Sequence, residues 1–127
     1  MKILIAVLVL VVLIISCQKK TPKEVQTLES KLFAEKLKST DNPQLLDVRS
    51  PEEFEEGHIE NATNVNWNDI NFVKNAQQYD KSKPIFVYCK AGVRSRKAAH
   101  KLAELGFTNI YSLEGGIDKW NQNKTTN

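Results

Sequence analysis

Apolar residues along the chain form one long run near its start and then a series of short groups separated by polar turns. The long run covers residues 3–15 without a polar interruption. After residue 24, short apolar runs such as 85–88 are typical of strands buried on both faces of a sheet. Apolar residues spaced by three or four positions, such as Ala98, Leu102 and Leu105, predict amphipathic helices.

Strands and helices are predicted to alternate through most of the chain. We predict strands at residues 25–28, 44–48, 64–67, 85–88 and 109–112. We predict helices at residues 29–39, 51–56, 70–79, 95–105 and 114–120. The second helix has the clearest start, because Ser50 and Glu53 can form a capping box around Pro51, and Gly57 is expected to end it. This alternation implies an α/β sandwich with a mostly parallel sheet, in which ligands bind at the carboxyl ends of the strands.

The N-terminal apolar run is too short to cross a membrane. Its thirteen residues would give about 20 Å of helix, against a hydrocarbon core of about 30 Å. Lys2 precedes it, and residues 14–17 resemble a bacterial lipobox. We therefore expect residues 1–16 to be a lipoprotein signal peptide, Cys17 to carry a lipid, and residues 17–24 to link this anchor to the domain. The alternatives are an uncleaved signal anchor and a buried helix of a globular domain.

Both the cleaved and the uncleaved signal place the domain outside the cytoplasm, on the periplasmic side or at the cell surface. Loss of Lys2 from the 18 basic residues would leave 17, against 15 acidic residues. This near balance gives no argument for a nucleic-acid partner. Positive charge is nevertheless concentrated in one segment, which contains Lys90, Arg94, Arg96 and Lys97. Such local charge favours a small anionic ligand.

Cys89 is the main candidate for chemistry. The chain has two cysteines, so lipidation of Cys17 would leave Cys89 without an intrachain partner. A lone cysteine is either buried and inert or a reactive thiol. Cys89 follows the predicted strand 85–88 and opens a loop that leads into a helix. The unpaired N–H groups and partial positive charge of a helix N-terminus stabilise a thiolate. This position favours a nucleophile.

Four segments together resemble the rhodanese (sulfurtransferase) family. They are residues 47–49 (DVR), 53–59 (EFEEGHI), 87–95 (VYCKAGVRS) and 113–120 (LEGGIDKW). The resemblance covers residues 25–122 and leaves 123–127 as a polar tail. It implies a three-layer sandwich, in which a five-stranded parallel sheet has helices on both faces, and it implies a persulfide on Cys89. Residues 60–62 (ENA) depart from the family, which usually has Pro-Gly-Ala there.

The loop suggests how a persulfide would form. The Cys89 thiolate would attack the outer sulfur of thiosulfate or a related donor, and cyanide or a thiol would then take that sulfur. Successive backbone N–H groups would cradle the terminal sulfur, and Gly92 would permit the required curl. We therefore expect substrate contacts from Lys90, Ala91, Gly92, Val93, Arg94 and Ser95.

Specific roles are expected for several side chains. Arg94 is expected to hydrogen-bond the oxygens of the donor through its guanidinium fork. Ser95 is either the N-cap of the following helix or a direct substrate contact. Asp47 and Arg49 are expected to hold the strand end against the neighbouring helix. No metal site is expected, because His58, His100 and one thiol do not make a ligand set, and no cofactor is expected.

Two further functions stay open. One is a non-catalytic rhodanese-like module that binds a partner protein at the membrane surface, and the other is a redox role through mixed disulfides. Phosphatase activity is disfavoured, because cysteine phosphatases place an arginine six positions after the cysteine. Ser95 occupies that position here, and Arg94 lies five positions on. A monomer is the expected state for a domain of this size.

Overall fold

A computed structural model of the protein describes residues 25–125 of the 127-residue chain. The predicted signal peptide at residues 1–16, the predicted lipid site Cys17 and the linker up to residue 24 lie outside the described residues. Among the helices within 25–125, none is long and apolar enough to cross a membrane. The last helix extends to Thr125, so part of the predicted polar tail at 123–127 is helical.

Five parallel strands form one central sheet. They are β1 (Gln26–Leu28), β2 (Gln44–Asp47), β3 (Thr63–Asn64), β4 (Ile85–Tyr88) and β5 (Ile110–Leu113). Their order across the sheet is β1-β5-β4-β2-β3, and every neighbouring pair is parallel. All four residues of the central strand β4 are buried, as its uninterrupted apolar run predicted. The predicted five-stranded parallel α/β sheet is confirmed.

Helices cover both faces of this sheet. They are α1 (Ser30–Lys38), α2 (Pro51–Glu56), α3 (Phe72–Ala76), α4 (Val93–Glu104) and α5 (Gly116–Thr125). Successive side chains of a strand point to opposite faces, so Ile85 and Val87 join one buried cluster while Phe86 and Tyr88 join the other. The first cluster packs against α3 and α4, and the second packs against α1 and α5. Because the side chains of β4 enter both clusters, helices pack on both faces of the sheet and three layers result.

Helix α2 begins with the predicted capping box. The Glu53 N–H donates to Ser50 Oγ at 3.2 Å, and the Ser50 N–H donates to Glu53 Oε1 at 3.4 Å. Gly57 ends the helix, as expected. No residue of α2 is buried, so this short helix adds little to the core. Its contribution is positional, because the capping box fixes a carboxylate at a defined point after β2.

The predicted helix at 70–79 is too long. The observed helix α3 spans only Phe72–Ala76, and Ile70 is 97% exposed. The Asp69 carboxylate accepts a hydrogen bond from the Asn71 N–H at 2.8 Å. This local side-chain contact competes with a helical start. The apolar spacing of this segment therefore reflects only the short helix and Tyr79. Tyr79 is partly buried against the cluster that also contains Phe72 and Ala76.

The predicted strand at 64–67 is also shorter, since β3 spans only Thr63–Asn64. The chain after it stays close to β2, because the Val65 N–H donates to the Asp47 carbonyl at 2.8 Å. The Asn64 amide donates to the carbonyls of Asp47 and Arg49 at 3.1 and 2.9 Å. This side chain adds to the backbone hydrogen bonds that hold the chain beside β2 after β3 ends.

Candidate active site

Strand β4 places Cys89 at the carboxyl edge of the sheet, where ligand sites of parallel α/β folds lie. The strand end is fixed because the Val48 N–H donates to the Tyr88 carbonyl at 3.0 Å. Cys89 is only 1% exposed and packs with the cluster under α4. Within residues 25–125 it is a free cysteine. Its chemistry therefore depends on the groups that line its pocket.

Polar groups of the loop and of α4 surround the Cys89 sulfur. The Gly92 N–H donates to Sγ at 3.1 Å, and Sγ lies 3.4 Å from Ser95 Oγ. The Ser95 hydroxyl donates to the Gly92 carbonyl at 3.2 Å, and Ser112 Oγ lies 3.4 Å from Ser95 Oγ. These contacts hold the sulfur between a backbone N–H donor and a buried hydroxyl.

The structure corrects the predicted role of Ser95 as a helix cap. Helix α4 starts at Val93, and its N-cap is Gly92. Gly92 has φ +107°, and a Cβ there would lie 3.3 Å from the Gly115 nitrogen. The left-handed backbone of glycine thus makes the turn into the helix. Ser95 is fully buried within the first turn, which places its hydroxyl beside the sulfur instead.

The start of α5 holds the other side of the loop. The Ile117 N–H donates to the Cys89 carbonyl at 2.9 Å, and the Asp118 N–H donates to the Lys90 carbonyl at 3.1 Å. A Cβ at Gly116 would overlap the backbone of Cys89 and Lys90. Helix N-terminal N–H groups have no partner within their own helix, so here they bind the loop carbonyls. Sequence reasoning missed this contact, although Gly115 and Gly116 in the 113–120 segment are its signal.

Arg94 does not present a free guanidinium fork, contrary to the sequence expectation. Its Nη1 and Nη2 donate to the two carboxylate oxygens of Glu53 at 2.7 and 2.9 Å. The two side chains are 27% and 28% exposed. Hydrogen bonds from Arg94 are the largest cause that lowers the pKa of Glu53 to about 2. The pKa of Arg94 is raised, first by these hydrogen bonds and then also by the charges of Glu53 and Cys89.

Lys90 is likewise paired. Its Nζ lies 3.1 and 3.0 Å from the two carboxylate oxygens of Asp118. Both side chains are about half exposed, at 59% and 47%. Arg96 and Lys97 are exposed on α4. Carboxylates from α2 and α5 therefore pair with two of the four cations that the sequence concentrates around Cys89.

Asp47 and Arg49 form a buried ion pair at the end of β2. Arg49 Nη2 lies 2.7 Å from Asp47 Oδ2, and Arg49 Nε donates to both carboxylate oxygens. Arg49 Nη2 also donates to the Gly57 carbonyl at 2.6 Å. The pair ties the strand end to the end of α2. It therefore supports the position of Glu53 rather than the sulfur itself.

A cleft of about 370 Å³ opens beside the loop. Its ionisable lining residues are Arg49, Glu53, Glu56, His58, Lys90 and Asp118. His58 stacks on Phe54 with ring centroids 3.8 Å apart. A larger groove of about 710 Å³ lies between α1 and α5, but none of its lining residues belongs to the Cys89 loop. Because the smaller cleft touches the loop, it is the better candidate for substrate.

No cluster of histidine, cysteine, aspartate and glutamate side chains in the described part of the chain is arranged to hold a metal ion.

Comparison with known proteins agrees with the fold. The model of the rhodanese-like domain family matches residues 30–123. The chain belongs to the rhodanese-like family. The Cys89 loop and the Gly116 contact both lie within the matched region.

The rhodanese-like chain is similar to proteins with and without an assigned activity. It is 47% identical over 77 residues to the uncharacterized protein YqhL of Bacillus subtilis, a match that covers 61% of this chain and 60% of that one. It is 38% identical over 79 residues to the thiosulfate sulfurtransferase GlpE of Shewanella oneidensis, covering 62% of this chain and 76% of GlpE.

A solved structure supports the same fold. The rhodanese-related protein of Thermoplasma volcanium superimposes with a TM-score of 0.67 and 28% sequence identity. The superposition covers 77% of this chain and 92% of the other.

Proposed function

We propose that this protein is a sulfurtransferase that carries sulfane sulfur as a persulfide on Cys89. The main support is the pair of contacts at the sulfur, where the Gly92 N–H donates to Sγ at 3.1 Å and Ser95 Oγ lies at 3.4 Å. The similarity to thiosulfate sulfurtransferases adds to this. A buried sulfur with a backbone donor is suited to hold a small anionic sulfur species.

In the first half-reaction, the Cys89 thiolate attacks the outer sulfur of a donor such as thiosulfate. A new S–S bond forms on Cys89, the bond between the two sulfurs of thiosulfate breaks, and sulfite leaves with the electron pair. The Gly92 N–H, which donates to Sγ, is placed to stabilise negative charge on the persulfide. In the second half-reaction, cyanide attacks that sulfur to give thiocyanate, or a thiol takes it as a hydropersulfide. Either acceptor regenerates the Cys89 thiolate.

The exposed part of the loop serves the acceptor. Ala91 and Val93 point outward, and Val93 is 60% exposed. The cleft beside Lys90 leads to the same loop. A second candidate function is a non-catalytic module that binds a partner protein through this exposed part of the loop. The exposed apolar side chain of Val93 favours this alternative. The two functions differ in whether Cys89 takes up sulfur.

Mass spectrometry of the intact protein tests the proposal. After incubation with thiosulfate, the wild-type protein should gain one sulfur, about 32 Da, and lose it on addition of cyanide. Cys89→Ser is the matched control, because Cys17 stays in both proteins. Absence of the adduct with thiosulfate and with hydropersulfides would favour the partner-binding module instead.

We also propose that the domain works outside the cytoplasm on a lipid anchor at Cys17. The support is the segment 1–17, with Lys2, an apolar run and a lipobox-like end. Metabolic labelling with a palmitate analogue should mark the wild-type protein and not Cys17→Ser. Equal labelling of both proteins would contradict the anchor.

A further inference from the structure

The cations around the Cys89 loop bear on how this site would take an oxyanion. Arg94, the guanidinium next to the loop, has both of its terminal nitrogens on the Glu53 carboxylate, at 2.7 and 2.9 Å. Lys90 is paired with Asp118, and Arg49 with Asp47. Each of these three cations is therefore already engaged by a carboxylate of the protein.

Glu53 is itself held in place from the other side. The Ser50 hydroxyl donates to Glu53 Oε1 at 3.2 Å, and the Ser50 N–H donates to the same oxygen at 3.4 Å. Glu53 is thus fixed by the capping box of α2 as well as by Arg94. Because its pKa is about 2, the carboxylate stays charged at neutral pH. A donor that needs the Arg94 fork must displace an ordered, ionised side chain.

Thiosulfate and a hydropersulfide differ in how much they need that fork. Thiosulfate is a dianion whose oxygens are best bound by a bidentate arginine. A hydropersulfide on an uncharged carbon chain carries no oxyanion. The local charges thus disfavour thiosulfate more than they disfavour a hydropersulfide.

We propose that Glu53 is a specificity-determining residue that occupies Arg94 and so favours hydropersulfide donors over thiosulfate. This inference rests on the proposed sulfurtransferase function. The Cys89 thiolate attacks the terminal sulfur of R–S–SH, a new S–S bond forms on Cys89, and the bond between the two donor sulfurs breaks. The thiolate R–S⁻ leaves with the electron pair and takes up the proton of the transferred sulfur. The products are the Cys89 persulfide anion and R–SH.

The test compares two donors on the same protein. Rates of sulfur uptake by Cys89 are measured by intact mass with thiosulfate and with 2-hydroxyethyl hydropersulfide, which has no anionic oxygen. Glu53→Gln removes the charge while its amide oxygen can still accept from Ser50. We expect the ratio of the thiosulfate rate to the hydropersulfide rate to rise about tenfold, the size of one charge-assisted hydrogen bond gained by the donor.

Three further variants separate this role from other effects of the substitution. Glu56→Gln removes a carboxylate from the same cleft, but Glu56 is not the residue that holds Arg94. Ser50→Ala weakens the capping box and leaves the ion pair. We expect both to change the donor ratio less than twofold. In an Arg94→Gln background, Glu53→Gln should have no further effect on the ratio, because its effect passes through Arg94.

The outcomes are distinguishable. A wild-type protein that takes sulfur from neither donor would overturn the proposed function and this inference with it. Uptake by the wild-type protein with a donor ratio that does not change in Glu53→Gln would overturn the inference alone. An equal change in Glu56→Gln, or a full effect of Glu53→Gln without Arg94, would also overturn it, because general repulsion would then explain the preference.

Discussion

The inner and outer sides of the Cys89 loop are held by different forces. On the inner side, neutral hydrogen bonds from Gly92, Ile117 and Asp118 bind the sulfur and the loop carbonyls. On the outer side, charged pairs join the loop to α2 and α5. Buried neutral contacts depend on close packing, whereas exposed ion pairs are weak and are screened by salt. Under the proposed function, the inner side would determine whether a sulfur can be held, and the outer side would determine which donor is favoured.

The largest effect should come from the inner side, through Gly116→Ala. A Cβ at this position overlaps the backbone of Cys89 and Lys90, which cannot move without breaking the contacts to α5. We expect the free energy of unfolding to fall by about 3 kcal/mol and Cys89 to lose its sulfur uptake. Urea unfolding and the intact-mass assay measure these two effects.

Gly106→Ala is the matched control for Gly116→Ala. Gly106 also has a positive φ, of +102°, but a Cβ there would meet only the Lys81 side chain at 3.7 Å. The control therefore carries the backbone strain without the overlap, and it should keep sulfur uptake. Equal losses in both variants would show that strain alone, and not the contact with the loop, explains the effect.

An intermediate effect is expected from the Arg94–Glu53 pair as the pH falls. The folded pKa of Glu53, about 2, lies below its ordinary value of 4.5. The pair therefore stabilises the fold fully above pH 4.5, and this contribution is lost as the pH falls towards 2. For a partly exposed pair it amounts to about 1–2 kcal/mol.

The stability difference between wild type and Glu53→Gln measures this contribution. It should be constant between pH 6 and 8 and shrink steadily from pH 5 to pH 2 in urea unfolding. A difference that does not depend on pH in the acid range would contradict the ion-pair origin. Ser50→Ala serves as the reference, because its effect should reflect a lost hydroxyl and change less with pH.

The smallest effect should come from Asp118→Asn on the outer side. Its partner Lys90 is more than half exposed, and such pairs contribute about 0.5 kcal/mol or less. The backbone N–H of residue 118 that binds the Lys90 carbonyl is retained. Unfolding at low and high salt should therefore show nearly the same stability for variant and wild type. If Asp118→Asn lowered the free energy of unfolding as much as Gly116→Ala, the distinction between the inner and outer sides of the loop would be wrong.

Much of the fold could be predicted from local patterns. The apolar run of β4 and the capping box of Ser50 and Glu53 each report on a few adjacent residues, and both were confirmed. The length of the helix predicted at 70–79 was overestimated. The Asp69 carboxylate accepts a hydrogen bond from the Asn71 N–H, and apolar spacing does not report such a side-chain contact. Propensity and periodicity are thus reliable where no side chain competes with the backbone.

The site was only partly predictable, because its contacts connect distant residues. Cys89 and its loop could be found from one segment, but Glu53 and Arg94 are 41 positions apart. No local pattern showed that Glu53 would take the guanidinium that we expected to bind the donor. Ser95 was one candidate for the N-cap of α4, since hydroxyl residues favour that position. In the structure, Gly92 is the N-cap in a left-handed conformation, and the Ser95 hydroxyl lies beside the Cys89 sulfur.

The contact between the Cys89 loop and α5 also sets when the site can form during synthesis. The N–H groups that hold the carbonyls of Cys89 and Lys90 belong to residues 117 and 118, which follow Cys89 by almost thirty positions. Among the strands within residues 25–125, β1 likewise pairs only with β5. A nascent chain that has passed Cys89 but not residue 118 has the thiol without its binding pocket. Under the proposed function, sulfur loading on Cys89 would therefore require that residues 117 and 118 have already been synthesised.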